Sequence, residues 1–271
     1  MKIARFLLVL QYRIKIEKRC QNVYDSILPM KITVVIPAFN EEKLLARCIE
    51  SVRAAFSVSG GGADHEIVVC DNNSTDGTAG VAAALGVRTV FEPLNRISGS
   101  RNTGASAAAG DWLIFLDADS ALSPATLSET LRRMRSGACV GGGALVAFED
   151  PEPPFWGAVL TGLWNLISRT LNLAAGSYLF CRSDAFRWLG GFSPELYAAE
   201  EIVLSRGLKR WGAGRGLHFD IIRSSPHISS GRKFRLYTLA DLLSESFRFW
   251  RRPFRAVKDP ARLRIFYEGR R

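Results

Sequence analysis

The sequence predicts an α/β fold in which a mostly parallel central sheet is flanked by helices. Short runs of β-branched and apolar residues alternate with stretches whose apolar side chains recur at helical spacing. Such alternation requires crossover connections, which bring consecutive strands into one parallel sheet covered on both faces. With 271 residues, of which 47% are hydrophobic and 23% charged, the chain has enough material for one large domain.

Strands and helices alternate from Lys31 onward. The first strand, residues 32–36, is a β-branched run that we expect to end at Pro37. Ser123 and Pro124 begin a later helix, because serine is a favoured N-cap and proline fits the first helical position. The other predicted strands are residues 66–70, 88–91 and 111–116, and the other predicted helices are residues 41–56, 79–85, 98–109, 155–175 and 200–211.

The helix predicted at residues 155–175 is amphipathic. Apolar side chains recur along one side of it, from Trp156 and Leu160 through Leu163 to Leu171. This side can pack on the chain's own sheet, which we favour, or it can lie against lipid or a partner.

Polar clusters follow three of the predicted strands, at residues 37–41, 71–78 and 117–120. Ligands bind at the carboxyl ends of the strands in parallel sheets, so we expect the three clusters to converge. The most informative of them is the pair of aspartates in Leu116-Asp117-Ala118-Asp119. Two carboxylates at the mouth of a buried strand are costly unless a cation lies beside them. A divalent metal carrying a phosphate is the leading candidate, and turn capping is the alternative.

The net charge of +10 is concentrated at the two ends of the chain. Residues 1–30 carry six Lys/Arg and two Asp/Glu, residues 232–271 carry twelve and four, and residues 31–231 carry eighteen and twenty. Such ends can attract an anionic membrane surface, and a solvated charged tail is the alternative. We expect no nucleic-acid partner. For residues 1–29 a native basic extension and a translation-start artefact both stay open, because Met30 directly precedes the first strand.

The five cysteines are far apart and form no Cys-x-x-Cys, so neither a disulfide framework nor a zinc site is indicated. A reducing cytoplasm fits this pattern best. No stretch reaches the roughly 18 uninterrupted apolar residues of a membrane-spanning helix. We therefore expect a cytoplasmic protein that is soluble or peripheral at the inner membrane face.

Five separated motifs follow one another along the chain. They are residues 35–41, residues 71–78, Arg101-Asn102-x-Gly104 with Gly110, residues 116–119, and Gly190-Gly191-Phe192 followed by Glu200-Glu201. In this order they resemble the family 2 glycosyltransferases, which transfer sugars from nucleotide diphosphates. The resemblance covers about residues 31–212 and implies a GT-A fold, a Rossmann-like single catalytic domain at residues 31–231. Its nucleotide half would be residues 31–120 and its acceptor half residues 121–231, followed by a basic, aromatic tail at residues 232–271.

The resemblance also implies a nucleotide pocket. The backbone at Pro37 and Ala38 would contact the nucleotide, with Glu41 near the ribose. Asp71 would accept hydrogen bonds from a uracil or guanine base, and Arg101 would lie against that base. Turn capping is the alternative role for Asp71 and the favoured role for Asp76.

The same resemblance implies a metal site. Asp117 would serve the ribose and the metal, and Asp119 would coordinate Mg²⁺ or Mn²⁺ directly. His227 would complete the metal shell, with His218 as the competing histidine. Arg232, on a flexible loop that follows His227 in the chain, would close over the diphosphate.

Glu201 takes the place of the aspartate that serves the family as general base in an inverting transfer. Adjacent helix residues point about 100° apart, so only one of Glu200 and Glu201 is expected to face the cleft. We favour Glu201. Two alternatives stay open: Glu200 is the base, or both carboxylates only complement the helix N-terminus.

We therefore expect a metal-dependent, inverting transferase that moves a sugar from a UDP- or GDP-sugar to an acceptor hydroxyl on a glycan, lipid or small molecule. The Gln-x-x-Arg-Trp signature of processive members is absent, which favours single additions. A sugar nucleotidyltransferase would need a Gly-rich basic loop where this chain has residues 37–41. A non-catalytic nucleotide-sugar-binding protein would lack the metal and base carboxylates.

Overall fold

The computed structural model describes residues 30–59, 62–149, 152–232 and 234. The basic N-terminal extension and nearly all of the basic tail lie outside these residues. In chain order the elements are β1 (Lys31–Ala38), α1 (Leu45–Ser59), β2 (Asp64–Asp71), α2 (Thr78–Ala84), β3 (Arg88–Phe91), α3 (Ile97–Ser106), β4 (Trp112–Leu116), β5 (Ser120–Ala121), α4 (Pro124–Arg135), β6 (Cys139–Glu149), α5 (Phe155–Leu171), β7 (Tyr178–Arg182), α6 (Ser183–Trp188), α7 (Glu200–Ala213) and β8 (His218–Ser230).

The strands form one sheet in the order β3-β2-β1-β4-β7-β6-β8-β5. The first four strands of this order are parallel to one another, as helical crossovers require. β7 is antiparallel to both of its neighbours, while β8 runs parallel to β6. The predicted α/β class, with a central sheet and flanking helices, is confirmed.

The sheet separates two apolar layers, because successive side chains of a strand point to opposite faces. Val34 and Ile114 belong to the layer that α1 and α4 cover. Val35 and Phe115 belong to the other layer, which α6 and α7 cover. This packing on both faces explains why the central strands read as continuous apolar runs.

Two predicted boundaries near the first strand are wrong. β1 continues through Pro37 to Ala38, where its pairing with β2 persists although β4 pairs with it only as far as Val35. Proline is tolerated there because only one neighbouring strand remains. The following helix begins at Leu45 and not at residue 41, because residues 41–44 form a turn that leads into it.

The predicted start of α4 is confirmed. The Ser123 hydroxyl accepts a hydrogen bond of 3.0 Å from the backbone N–H of Thr126, and Pro124 occupies the first helical position. A serine at this position satisfies one of the N–H groups that a helix leaves without partners at its start.

The expectation that α5 buries its apolar side against the sheet is wrong. Its fully buried residues are the small Gly157 and Ser168, and Leu160 and Leu163 are exposed. The helix is held to β6 by polar contacts instead: the Asn165 side chain accepts from the Val146 N–H at 2.9 Å and donates to the Val146 carbonyl at 2.8 Å. In the part of the chain that the structure describes, no helix is both long and apolar enough to cross a bilayer.

Gly110 precedes β4 and packs directly on β1. A Cβ atom at this position would lie 2.6 Å from the backbone nitrogen of Thr33, which real Cβ contacts do not allow. We predict that Gly110→Ala lowers the free energy of unfolding by about 1–3 kcal/mol through overpacking. Denaturant melts should show Gly80→Ala, an open helical site with nothing within 4 Å, as neutral or slightly stabilising. Equal stabilities of the two variants would contradict the close packing.

Candidate functional site

The carboxyl ends of β1, β2 and β4 meet at one edge of the sheet, where the structure brings the three polar clusters together. The loops that follow β1 and β2 are joined by hydrogen bonds, from Asn72 N–H to the Ala38 carbonyl at 2.8 Å and from Thr75 N–H to Asn40 Oδ1 at 2.8 Å. Pro37 and Ala38, the last residues of β1, therefore lie beside the loop that follows β2, and Ala38 is buried.

Asp71 and Asp76 both cap turns in the loop after β2. The Asp71 carboxylate accepts from the Ser74 N–H at 3.1 Å, and Asp76 accepts from the N–H groups of Thr78 at 3.0 Å and Glu42 at 3.2 Å. Burial opposes the charged form of Asp76, yet a hydrogen bond from the Thr78 hydroxyl and those from the two N–H groups hold its pKa below the usual value. Asp76 thus has the capping role that the sequence favoured, while Asp71 combines capping with a place at the strand end.

Arg101 of α3 lies at the centre of the site. Its guanidinium donates to Asp117 at 3.0 Å, to Glu200 at 2.7 Å and to the Gly176 carbonyl at 2.7 Å, and the residue is only 3% exposed. Burial alone would lower the pKa of Arg101, but the neighbouring carboxylates raise it above its usual value and keep the group charged. These three acceptors hold the guanidinium inside the protein, and the implied position against a nucleotide base stays a prediction.

Asn102, the next residue, joins α3 to the segment before α7. Its amide donates to the Phe192 carbonyl and accepts from the Phe192 N–H, both at 2.9 Å. Gly191 has a φ of 78° and lies so close that a Cβ atom there would be 2.5 Å from Asn102 Oδ1. Two of the sequence motifs are therefore one structural unit.

Asp117 and Asp119 differ in their surroundings. Asp117 is held by Arg101, and its backbone N–H donates to the Ser177 carbonyl at 3.2 Å. The Asp119 side chain is 6% exposed, with Oδ2 at 3.8 Å from Arg232 and Oδ1 buried without a hydrogen-bond partner. An orphaned buried carboxylate oxygen is unfavourable by itself, so Asp119 offers a free acceptor at the strand end.

His227 of β8 is completely buried and stacks on Tyr178, with 5.0 Å between ring centroids. The Tyr178 hydroxyl is hydrogen-bonded to Thr130 at 2.7 Å, which fixes the stack. Neither ring nitrogen of His227 has a partner. Burial lowers the pKa of His227 to about 3 despite the opposing charge of Asp119, so the imidazole is neutral near pH 7. The competing His218 lies exposed at the opposite end of β8.

Asp117, Asp119 and His227, from which the metal site is predicted, do not form a complete set of protein ligands in the structure. Among the residues that the structure describes, no three His, Cys, Asp or Glu side chains are grouped so as to hold a metal ion. Asp117 is engaged by Arg101, whereas Asp119 and His227 each keep unpartnered ligand atoms. This set fits a hard divalent ion held by one or two protein ligands and completed by phosphate and water oxygens.

Arg232 follows β8 and lies between two carboxylates. Its Nη2 donates to Glu41 at 2.8 Å and 3.1 Å, and it is the cation nearest to Asp119 in the described ion pairs. The Glu41 side chain is almost fully buried, so this ion pair connects the turn after β1 with the end of β8.

Glu200 and Glu201 open α7 and have different partners. Glu200 is buried in its ion pair with Arg101, while Glu201 is half-buried. Burial, followed by the charge of Glu200, raises the pKa of Glu201 to about 8, and Arg101 opposes this rise. The Glu201 carboxyl lies beside Gly176, where a Cβ atom would be 3.7 Å from its carboxyl carbon.

Several residues shape this site through contacts that the sequence did not reveal. Gly176 supplies a carbonyl to Arg101, and Tyr178 with Thr130 supports His227. Their roles depend on neighbours far away in the chain, so local spacing could not reveal them. Asn102 and Phe192 each belong to a sequence motif, but the sequence did not indicate that they are in contact.

A family model described as Glycosyl transferase family 2 matches residues 33–189. The chain belongs to this family. The matched segment contains β2, α3 and β4, and with them Asp71, Arg101 and, just after β4, Asp119. Membership in family 2 favours the transferase interpretation over the sugar nucleotidyltransferase.

Curated relatives align with part of the chain. An uncharacterized glycosyltransferase of Rickettsia typhi is 34% identical over 93 residues, covering 34% of this chain and 29% of the relative. The succinoglycan biosynthesis protein ExoO of Rhizobium meliloti is 36% identical over 107 residues, covering 38% of this chain and 28% of the relative. The alignments thus span less than a third of either relative.

Solved structures share the fold. A mannosyltransferase of Pyrobaculum calidifontis, in complex with GDP-Man and Mn²⁺, superposes with a TM-score of 0.60 at 16% identity, covering 83% of this chain and 66% of that one. Glucosyl-3-phosphoglycerate synthase of Mycobacterium tuberculosis, in complex with Mn²⁺, UDP and glucosyl-3-phosphoglycerate, gives 0.52 at 19% identity, covering 79% of each chain. The GT-A fold predicted for this family 2 chain is confirmed.

The buried ion pairs of Arg101 predict a large effect of its removal. Arg101→Met would leave Glu200 buried and unpaired, so we expect the free energy of unfolding to fall by about 3–5 kcal/mol. Adding Glu200→Gln to this variant should restore part of the loss, because the uncompensated charge disappears. Urea denaturation measures both effects.

The matched control is Arg132→Met, which removes an exposed ion pair with Glu129. We expect this variant to unfold at the wild-type urea concentration, since exposed pairs contribute little. An Arg101→Met variant as stable as the control would contradict the central position of Arg101.

Proposed function

We propose that this family 2 chain is a metal-dependent, inverting and non-processive glycosyltransferase that moves a sugar from a UDP- or GDP-sugar to an acceptor hydroxyl. The observation that carries the proposal is that Asp119 Oδ1 and both ring nitrogens of His227, near the carboxyl edge of the sheet, are buried without a hydrogen-bond partner. The free oxygen of Asp119 and the neutral imidazole of His227 can coordinate a metal ion that is bound to a diphosphate. The guanidinium of Arg232 can contact that diphosphate.

The nucleotide would bind across the ends of β1 and β2. Pro37 and Ala38 offer backbone at the edge of the sheet, and Asp71 offers a carboxylate that a base N–H can reach. Support for a nucleotide-sugar donor comes from the structural neighbours, whose complexes contain GDP-Man or UDP. Both bases present N–H donors, so the carboxylate accepts either.

Asp119 and His227 would hold the metal, with Asp117 as a neighbouring carboxylate on the ribose side. Bound Mn²⁺ or Mg²⁺ would neutralise the charge that develops on the departing nucleoside diphosphate. Mn²⁺ in two of the neighbouring structures supports a divalent ion. Arg232, at 3.8 Å from Asp119, can donate to diphosphate oxygens beside that ion.

Glu201 would act as the general base. It would take the proton of the acceptor hydroxyl while that oxygen forms a bond to the anomeric carbon, as the bond from this carbon to the diphosphate breaks on the opposite side. The ion pair of Glu200 with Arg101 supports the choice of Glu201, because it commits one Glu200 oxygen inside the protein. Glu200 would position Arg101 and raise the proton affinity of its neighbour.

We also propose a cytoplasmic location, because cysteines that stay reduced are typical of that compartment. The buried cysteines Cys48, Cys70, Cys139 and Cys181 are free thiols in the structure. Burial raises the pKa of Cys70 and Cys139 to about 11, which keeps both protonated and unreactive near neutral pH.

Substitution of Asp119 tests the metal assignment. Asp119→Asn removes the charge but keeps the shape, so we expect release of UDP or GDP from the nucleotide sugar to fall at least about 100-fold in the presence of Mn²⁺. The control Asp64→Asn changes an exposed aspartate at the opposite end of β2 and should keep wild-type turnover. Equal turnover of the two variants would contradict the assignment.

The same assay separates the alternative functions. Pyrophosphate exchange in place of nucleotide release would indicate a nucleotidyltransferase, and binding of the nucleotide sugar without turnover would indicate a non-catalytic protein.

The raised pKa of Glu201 predicts a pH dependence. A base must be ionised, and a carboxyl with a pKa of about 8 is mostly protonated at pH 7, so kcat/KM should rise with pH and level off above about 8. Glu200→Gln removes a neighbouring negative charge and should shift this rise to lower pH, whereas Glu129→Gln on α4 should leave it in place. A profile that is flat between pH 6 and 9, or one that Glu200→Gln does not move, would contradict Glu201 as the base.

A further inference from the structure

Helix α5 exposes a continuous apolar surface. Its large aliphatic and aromatic side chains on the outer side are between 41% and 86% exposed. We call this surface the α5 face, and its residues are Phe155, Val159, Leu160, Leu163, Leu166 and Leu171. They recur at the spacing of one helix side, over a helix of 17 residues. A contiguous apolar surface of this kind marks an interaction site, unlike apolar residues scattered singly.

The fold itself does not require these side chains. α5 contacts the sheet through its other side, where Asn165 binds the Val146 backbone and the Ser168 hydroxyl donates to the Leu173 carbonyl at 2.8 Å. Polar side chains on the α5 face would leave these contacts intact. The apolar composition therefore calls for a partner that the described residues do not supply.

Cations border the C-terminal end of the α5 face. Arg169 is the only charged residue within the helix. Lys209 of α7 donates to the Leu171 carbonyl at 2.7 Å, and Arg223 of β8 donates to the Arg169 carbonyl at 3.4 Å. The acidic residues closest in sequence, Glu149 and Glu152, precede the helix at its other end. The border next to Leu171 is thus positively charged.

Phe234, the last residue that the structure describes, lies at the N-terminal end of the same helix. Phe234 packs on Trp156 in the first turn of α5, with 5.4 Å between ring centroids, and on Phe148 at 4.9 Å. Residues 235–271 follow directly and carry ten Lys/Arg, four Asp/Glu and seven aromatic residues. Their attachment point lies at one end of the α5 face, and the cations on α7 and β8 lie at the other.

We propose that the α5 face docks on an anionic lipid bilayer, with Arg169, Lys209 and Arg223 contacting the headgroups. Helices with one apolar side lie in the plane of the interface when cations flank that side, and each Lys or Arg near the surface adds attraction to anionic lipid. A second copy of the chain is the alternative occupant, and the oligomeric state of the protein tests it. The proposal is independent of the proposed glycosyl transfer, and vesicle binding tests it without any substrate.

The test is co-sedimentation of the full chain with vesicles of phosphatidylcholine that contain about a third phosphatidylglycerol. Val159→Glu places a carboxylate on the α5 face, and Val58→Glu makes the same change on α1, where the valine is 74% exposed. We expect the wild type and Val58→Glu to bind, and Val159→Glu to bind at least about tenfold more weakly, with equal melting temperatures for the two variants. Pure phosphatidylcholine vesicles should bind much less of the wild type.

Three outcomes would overturn the proposal. The first is no binding of the wild type to the anionic vesicles. The second is that Val159→Glu binds the vesicles as the wild type does, whereas a variant with Arg251, Arg252 and Arg255 changed to glutamine does not bind. This result would assign the contact to the C-terminal segment alone. The third is a wild-type dimer in sedimentation that Val159→Glu converts to monomer while vesicle binding stays the same, which would assign the α5 face to a second copy.

Discussion

The site depends on one buried cation, the guanidinium of Arg101. It pairs with Asp117 at the end of β4 and with Glu200 at the start of α7, and it also holds the Gly176 carbonyl. Two acidic side chains so close to each other, one of them fully buried, would be strongly unfavourable without it. A single side chain from α3 thereby joins the end of β4 to the start of α7.

Close packing brings Arg101 to that place. Gly104 lies one turn after Arg101 on α3, and a Cβ atom there would be 2.5 Å from Val35 Cγ1 of β1. A glycine lets the helix approach the sheet, and the Asn102 amide fixes the same helix to Phe192. Glu201 follows Glu200 in α7, and burial together with the charge of Glu200 raises the pKa of Glu201. The close packing of α3 on β1 and the ion pairs of Arg101 are therefore consequences of one short motif in α3.

Local features were predictable from the sequence. The β-branched run of β1, the serine cap of α4 and the aspartates after β4 rest on propensity, capping and strand length, which neighbouring residues determine. The ion pairs of Arg101 and the stack of His227 on Tyr178 were not predictable, because they join residues that are distant in the chain. The exposure of α5 was missed for a similar reason: apolar periodicity indicates one side of a helix but not what covers it. The turn at residues 41–44 reproduced a helical pattern without being helical.

The two orphaned groups Asp119 and His227 lead to the most direct measurement. A thermal-shift panel of UDP, GDP and their sugar conjugates, with Mn²⁺ or with a chelator, reports binding to the native state, because a ligand that binds only this state raises the unfolding temperature. We expect one nucleotide class to stabilise the wild type in the presence of Mn²⁺ and to lose most of this effect with the chelator. No shift with any of these ligands would contradict a nucleotide-sugar site at the carboxyl edge of the sheet.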